Sequence, residues 1–283
     1  MSEQNRPFEA AKVSLIGDRT CNQDRCLVLS SGDCVLLALA DGLGGHPRGE
    51  VAAQLLVDVC ETLFRHAAKP ISDPMRFMLE CIGKSHHAIM RFGRRQTPPI
   101  APRTTAVLAV IQAGMAHWVH VGDSRLYLIR DGQVHTQTRD HAQVRFVRQS
   151  AKEASHPQAS LTRCLGGLAQ PPVTTCGLPT VLQQNDTVVL CSDGLWGQLP
   201  AHALTDAFAE RAAPLAPGLQ ALADQAAGRP GSDNVTAVAL RWLRQAAVQI
   251  DQTALPEPQG DPQPDQAIRH LNHVLEKPSE PKR

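Results

Sequence analysis

The 283-residue chain has room for one large domain or two small ones, and its 42% apolar composition supports a substantial core, which excludes a disordered chain. Lys and Arg number 28 against 27 Asp and Glu, a formal net charge of +1, and no basic stripe with interleaved aromatics marks a nucleic-acid surface. No apolar run approaches the roughly 18 residues that span a bilayer, and the start lacks a basic segment followed by an apolar one, so no membrane span and a cytoplasmic location are expected.

In chain order, strand-like runs fall at 11–16, 25–30 and 34–40. Two helical patterns follow: 49–66, with Val51, Leu55, Val59 and Leu63 on one face, and 73–92, with Met78, Ile82 and Ile89. Further strand-like runs occupy 104–112, 116–122 and 125–130, joined by short turns such as Gln112-Ala113-Gly114. After a strand at 186–192, helical patterns near 201–211 and 215–227 precede a last strand at 234–243. Strands in runs and helices in pairs predict an α+β fold, with helices on the outer faces of antiparallel sheets.

From about 245 the composition changes. Six prolines fall between 256 and 281, which reads as a tail beyond a domain spanning 1–244. Within this 245–283 tail, residues 265–276 place Ile268, Leu271 and Leu275 on one helical face behind Asp265 as N-cap. Eight cysteines without CxxC spacing, several inside apolar runs, read as buried reduced thiols.

The chemistry lies at the strand ends. Asp41 closes the apolar run 34–40, and Asp123, Asp193 and Asp233 each stand beside Gly or Ser at the end of another strand, while Asp24 begins one. One Asp-Gly is an ordinary turn. Five carboxylates at strand ends that converge on one edge would repel and be partly desolvated unless cations neutralise them. With carboxylates and the Gly42 carbonyl as donors and no His/Cys cluster, the donor set suits Mn2+ or Mg2+ rather than zinc. Arg19, five residues before Asp24, would bring a guanidinium beside those cations, which makes sense for a phosphate ligand.

These residues resemble the metal-dependent protein phosphatases of the protein phosphatase 2C class. The resemblance is collinear from about 13 to 243 and rests on GDRTCNQD (17–24), DGLGGHPRGE (41–50), GDSR (122–125), Asp140-His141, LTRCLG (161–166), SDGL (192–195) and Asp233-Asn234. It implies a four-layer αββα sandwich of two antiparallel sheets flanked by helix pairs, and a serine/threonine protein phosphatase of bacterial type. By matching position, Asp41 would bridge two metals and Gly42 would lend its carbonyl to one. Asp193 and Asp233 would complete the other ion, Asp24 would hold a water of the metals, and Arg19 would bind the phosphate. Asp123 matches the position of a third, weaker metal. A water shared by ions about 4 Å apart loses its proton near neutral pH and attacks phosphorus in line. The implied partners are a phosphorylated protein substrate and a serine/threonine kinase acting in opposition, with the enzyme a monomer.

The sequence departs from the family at three places. Gln23 stands where many relatives have Glu, Leu43 follows the bridging Asp-Gly where some have His, and the segment 141–156 beside the site is short. His46 reads as a loop or capping residue, so no leaving-group acid is assigned. Two rivals are a non-catalytic phosphoprotein-binding regulator, whose signature would be loss of a ligand Asp, and a hydrolase of small phosphate esters.

Overall fold

The structure is a computed structural model that describes residues 6–147, 156–210 and 213–244. The first strand, β1 (Phe8–Leu15), starts before the expected 11, β2 (Asp24–Ser31) and β3 (Cys34–Asp41) form a hairpin, and α1 (Gly49–His66) and α2 (Pro74–Arg94) follow. The middle of the chain holds β4 (Ala106–Gln112), β5 (Met115–Val121), β6 (Arg125–Arg130), β7 (Gln133–Gln137), β8 (Ala142–Val147) and β9 (His156–Leu161). Two-residue strands β10 (Thr175–Cys176) and β11 (Thr180–Val181) precede β12 (Thr187–Cys191), α3 (Asp193–Trp196), α4 (Ala201–Ala207), α5 (Leu215–Ala227) and β13 (Val235–Trp242). The strands β7 to β11 and the helix α3 have no counterpart in the sequence expectation, and α4 stops short of the expected 211. The 245–283 tail and its 265–276 helix lie outside the described residues.

One antiparallel sheet has the order β1-β13-β12-β6-β7 and the other β10-β5-β4-β3-β2, with β11 also on β5; β8 and β9 pair as a separate hairpin. Alternation along β3 shows how the layers stack. Leu36, Ala38 and Ala40 join the core against α1 and α2, while Val35, Leu37 and Leu39 join the core between the sheets. On β13, Val238, Leu240 and Trp242 face that inner core and Val235, Ala237 and Ala239 pack under α4 and α5. A strand buried on both faces reads as a continuous apolar run, which is why these strands were legible. The expected four-layer sandwich of two antiparallel sheets is thus present.

Two expectations need correction. The stripe Val51, Leu55, Val59 and Leu63 is only half-buried, and α1 instead seats Ala52, Ala53, Leu56, Val57, Cys60 and Phe64 on the sheet. Small alanines let the helix approach closely, which a count of large apolar residues misses. Among the cysteines, Cys34, Cys60, Cys81 and Cys191 are buried thiols, but Cys21 and Cys176 are exposed, on the loop before β2 and on the short β10.

Candidate active site

The carboxylates converge because neighbouring strands end at one edge. In the β2–β3 pairing, Asp24 stands directly opposite Asp41, a like-charge cross-strand pair that destabilises unless compensated. β12 delivers Asp193 at its end, and the turn before β13 delivers Asp233. A cavity of about 380 Å3 opens there, and its lining includes Arg19, Gln23, Asp41, Gly42, Asp123, Asp193, Asp233 and Asn234. Six of the seven residues singled out from sequence therefore line one cavity. The seventh, Asp24, is 3% exposed and is not among the described lining residues.

The backbone at Asp41 is fixed from β4's side. Its N–H donates to Thr105 Oγ1 at 3.0 Å, and its carbonyl accepts from the Thr105 N–H at 2.8 Å and the Thr104 hydroxyl at 2.9 Å. Thr105 Oγ1 in turn lies 2.7 Å from Ser124 Oγ, which ties Asp41 to the residue after Asp123. Gly42 crosses Gly49 so closely that a Cβ on it would sit 2.5 Å from the Gly49 carbonyl, so the α1 start and the Asp41 turn interlock only as glycines.

Behind the cavity, Ser192 caps α3 by position but donates its hydroxyl to Asp24 Oδ2 at 2.8 Å instead of to the helix. Asn234 accepts from the Gln23 N–H at 2.8 Å and donates to the Ile16 carbonyl at 2.8 Å, joining the Arg19 loop to Asp233. Trp196, on the same short helix as Asp193, donates its indole N–H to the Asp123 carbonyl at 3.1 Å. The Arg125 guanidinium lies 3.4 Å from the Trp196 ring centroid and grips Asp140 through two hydrogen bonds of 2.8 Å. The sequence reading missed Thr104, Thr105, Ser124, Ser192 and Trp196. All five act across strands, and only Ser124 and Ser192, which adjoin Asp123 and Asp193, carried any local hint.

The electrostatics follow from crowding. Burial pushes the Asp24 carboxyl up to about 7 against the hydrogen bonds from Ser192 and Thr236, and Asp193 and Asp233 add to the rise. Burial, then Asp24, Asp193, Asp123 and Asp233, hold Asp41 well above the carboxylate range. Asp123 rises to about 6 by burial and then by Asp193, and Asp193 rises by burial and then by Asp233, partly offset by a hydrogen bond from Asp41. Arg19 Nη2 meets Asp233 Oδ2 at 2.7 Å. The Arg19 guanidinium thus offsets only Asp233 directly, and among the described residues no three His, Cys, Asp or Glu side chains are drawn together tightly enough to clasp an ion as they stand. The donors are all hard oxygens, and among the described lining residues four carboxylates share one cation, so the site fits divalent cations that would offset the crowded charge and free the guanidinium.

No described residue lining the cavity is a histidine. His46 lies in the turn after Leu43 and does not cap α1, whose N-cap is Arg48 in the left-handed region. Of the segment 141–156, β8 is described and pairs with β9, residues 148–155 lie outside the described residues, and Leu161, at the end of β9, lines the cavity.

Comparison with known proteins identifies the family. The chain is 32% identical over 241 residues to the serine/threonine protein phosphatase PstP of Mycobacterium tuberculosis, covering 81% of this chain but 45% of that protein. The S. agalactiae serine/threonine phosphatase structure superposes with a TM-score of 0.70 at 27% identity, over 84% of this chain and 100% of that one. The catalytic domain of PstP in complex with two manganese ions superposes at 0.67, with 29% identity over 84% of this chain and 99% of that one. The family profile described as protein phosphatase 2C matches residues 13–250, so the strand-end carboxylates, the paired sheets and the ordered motifs have one origin: the chain belongs to the protein phosphatase 2C family.

Proposed function

We propose that the chain is a metal-dependent serine/threonine protein phosphatase acting as a monomer on cytoplasmic phosphoproteins, opposed by a serine/threonine kinase. The observation that carries this reading is the single cavity in which Asp41, Asp123, Asp193, Asp233, the Gly42 turn and Arg19 meet. Asp41 would bridge two Mn2+ or Mg2+ ions, with the Gly42 carbonyl, Asp193 and Asp233 completing them and Asp123 serving a weaker third. Such ions supply Lewis-acid charge on phosphate and a water of lowered pKa.

The chain's own part is positional. Arg19 is more than half exposed at the cavity mouth, with the reach to leave Asp233 and grip a phosphate through two N–H groups. Thr104 and Thr105 hold the Asp41 backbone, and Trp196 holds Asp123 relative to Asp193. Buried Asp24 accepts from Ser192 and stands opposite Asp41, where it can hold a water's proton in place. A cavity of this size takes a phosphorylated side chain and leaves the peptide outside it.

The test is phosphate release from phosphothreonine, phosphoserine and phosphotyrosine peptides side by side, with Mn2+, with Mg2+ and with excess chelator. Release from the first two that depends on metal is expected. Full activity in chelator removes the metal assignment, turnover of small esters alone moves the substrate class, and a complete lack of turnover with tight phosphopeptide binding supports a regulator.

A further inference from the structure

A second concavity lies on the outer face of the α1–α2 pair, with a volume of about 870 Å3. It shares no lining residue with the catalytic cavity. Its apolar floor is Val59, Leu63 and Ala88, all half-buried, with Leu63 shared between the core and this trough. One bank, on α2 and its C-cap, carries the exposed cations Lys84, Arg91, Arg94 and Arg95, set against a single acidic lining residue, Asp58 of α1, among the described residues. Only Lys84 has an ion-pair partner among the described residues, Glu80 at 2.7 Å. The helix dipole accounts for cations in the last turn, where Arg91 and Arg94 fall, and Glu80 accounts for Lys84, but neither accounts for the three arginines lining an apolar trough.

We propose that this trough is a docking site for an acidic amphipathic segment of a partner protein. Its complement is a helix that lays apolar residues on Val59, Leu63 and Ala88 and carboxylates along the arginine bank, the helix-in-groove mode of recognition. Charge complementarity selects this occupant. A bilayer presents a flat surface that does not enter a trough, a nucleic acid offers no apolar face for Val59 and Leu63, and a basic peptide is repelled by the bank. A site remote from the chemistry gives a phosphatase of small catalytic cavity a second handle on its partner, yet the docking stands whether or not the chain is catalytic.

The experiment uses the full chain and fluorescence anisotropy with a labelled synthetic helix bearing leucines on one face and glutamates beside them. Its counterpart with lysine for glutamate, phosphatidylserine vesicles and duplex DNA serve as competitors. Binding of the acidic helix in the micromolar range is expected, weakening by about tenfold or more in the triple variant Arg91→Glu, Arg94→Glu, Arg95→Glu and also in Val59→Asn. Hydrolysis of a small phosphate ester should be unchanged in both variants, which checks their folding apart from the docking. The proposal falls if the acidic helix binds no better than the lysine counterpart, if the triple variant keeps its affinity, or if only vesicles or DNA bind through these arginines.

Discussion

The strand β12 has an aspartate at each end, and the two have opposite fates. At its start Asp186, 1% exposed, is gripped by Arg130 at the end of the neighbouring β6: Nε reaches Oδ1 at 3.0 Å, Nη2 reaches Oδ2 at 2.6 Å, and the Gln183 N–H adds a third bond at 2.8 Å. Beyond its far end Asp193 meets other carboxylates, and the one cation lining that cavity among the described residues, Arg19, is engaged with Asp233. The same strand therefore buries one carboxylate with its cation supplied and another without. Where the chain supplies the cation, the group serves the fold; where it withholds it, the group is set for a cation from outside.

The largest expected effect is on activity at the uncompensated end. Asp41→Asn or Asp193→Asn should lower kcat by roughly a thousandfold, the several kcal/mol that a cation contributes to phosphoryl transfer. In chelator each variant should melt no lower than the parent, because removing one crowded carboxylate relieves repulsion. Steady-state kinetics beside thermal melts measure both, and a destabilised variant with near-parent kcat would overturn the contrast.

At the compensated end the sign reverses. Asp186→Asn leaves Arg130 half-buried without its partner carboxylate and should cost about 3 kcal/mol in denaturant unfolding, while the kcat of the folded protein holds. A loss of kcat without loss of stability would mean the two ends are not separable.

The comparison also explains what the sequence could convey. Asp41 and Asp193 were legible because each closes an apolar run, a pattern local to a few residues. Leu39 next to Ala40 and Asp41 reads as a buried strand with a misplaced charge on any topology. Trp196 to Asp123 and Ser192 to Asp24 were illegible, since their hydrogen bonds span 73 and 168 residues and exist only once β6 and β12 pair and the two sheets face each other. The strands β10 and β11, two residues each, carry no period to read. On α1 the pattern was legible but ambiguous, because alanines mark the close-packed face while the larger Val59 and Leu63 line the outer trough.

A smaller effect sharpens the link between the ends of β6 and β12. Trp196→Phe keeps a ring under Arg125 but removes the donor to the Asp123 carbonyl, at a cost of about 1 kcal/mol. If Trp196 sets the spacing of Asp123 and Asp193, kcat should fall several-fold with little change in KM. Calorimetry should show the weakest metal binding loosened and the tighter pair kept. An unchanged kcat and metal profile would reduce Trp196 to packing.

The smallest expected effect concerns the polar layer behind Asp123. His141 Nδ1 accepts from the Gly122 N–H at 3.1 Å, Nε2 bonds Thr175 Oγ1 at 2.8 Å, and the ring stacks on His120 with centroids 4.5 Å apart. Burial first, then His120 and Arg163, lower the His141 pKa to about 4 against the opposing effect of Asp140. The unfolded chain, with an ordinary value of about 6.5, therefore binds more protons than the folded one between those limits. The His141 contribution to stability should be flat above about pH 6.5 and should decline as the pH falls from there toward about 4, because protonation removes the acceptor for Gly122 and sets a charge beside Arg163. His141→Asn retains an acceptor near Nδ1 but does not titrate, so its melting temperature should vary less across that window. Equal slopes for parent and variant would show that His141 does not contribute to the pH dependence.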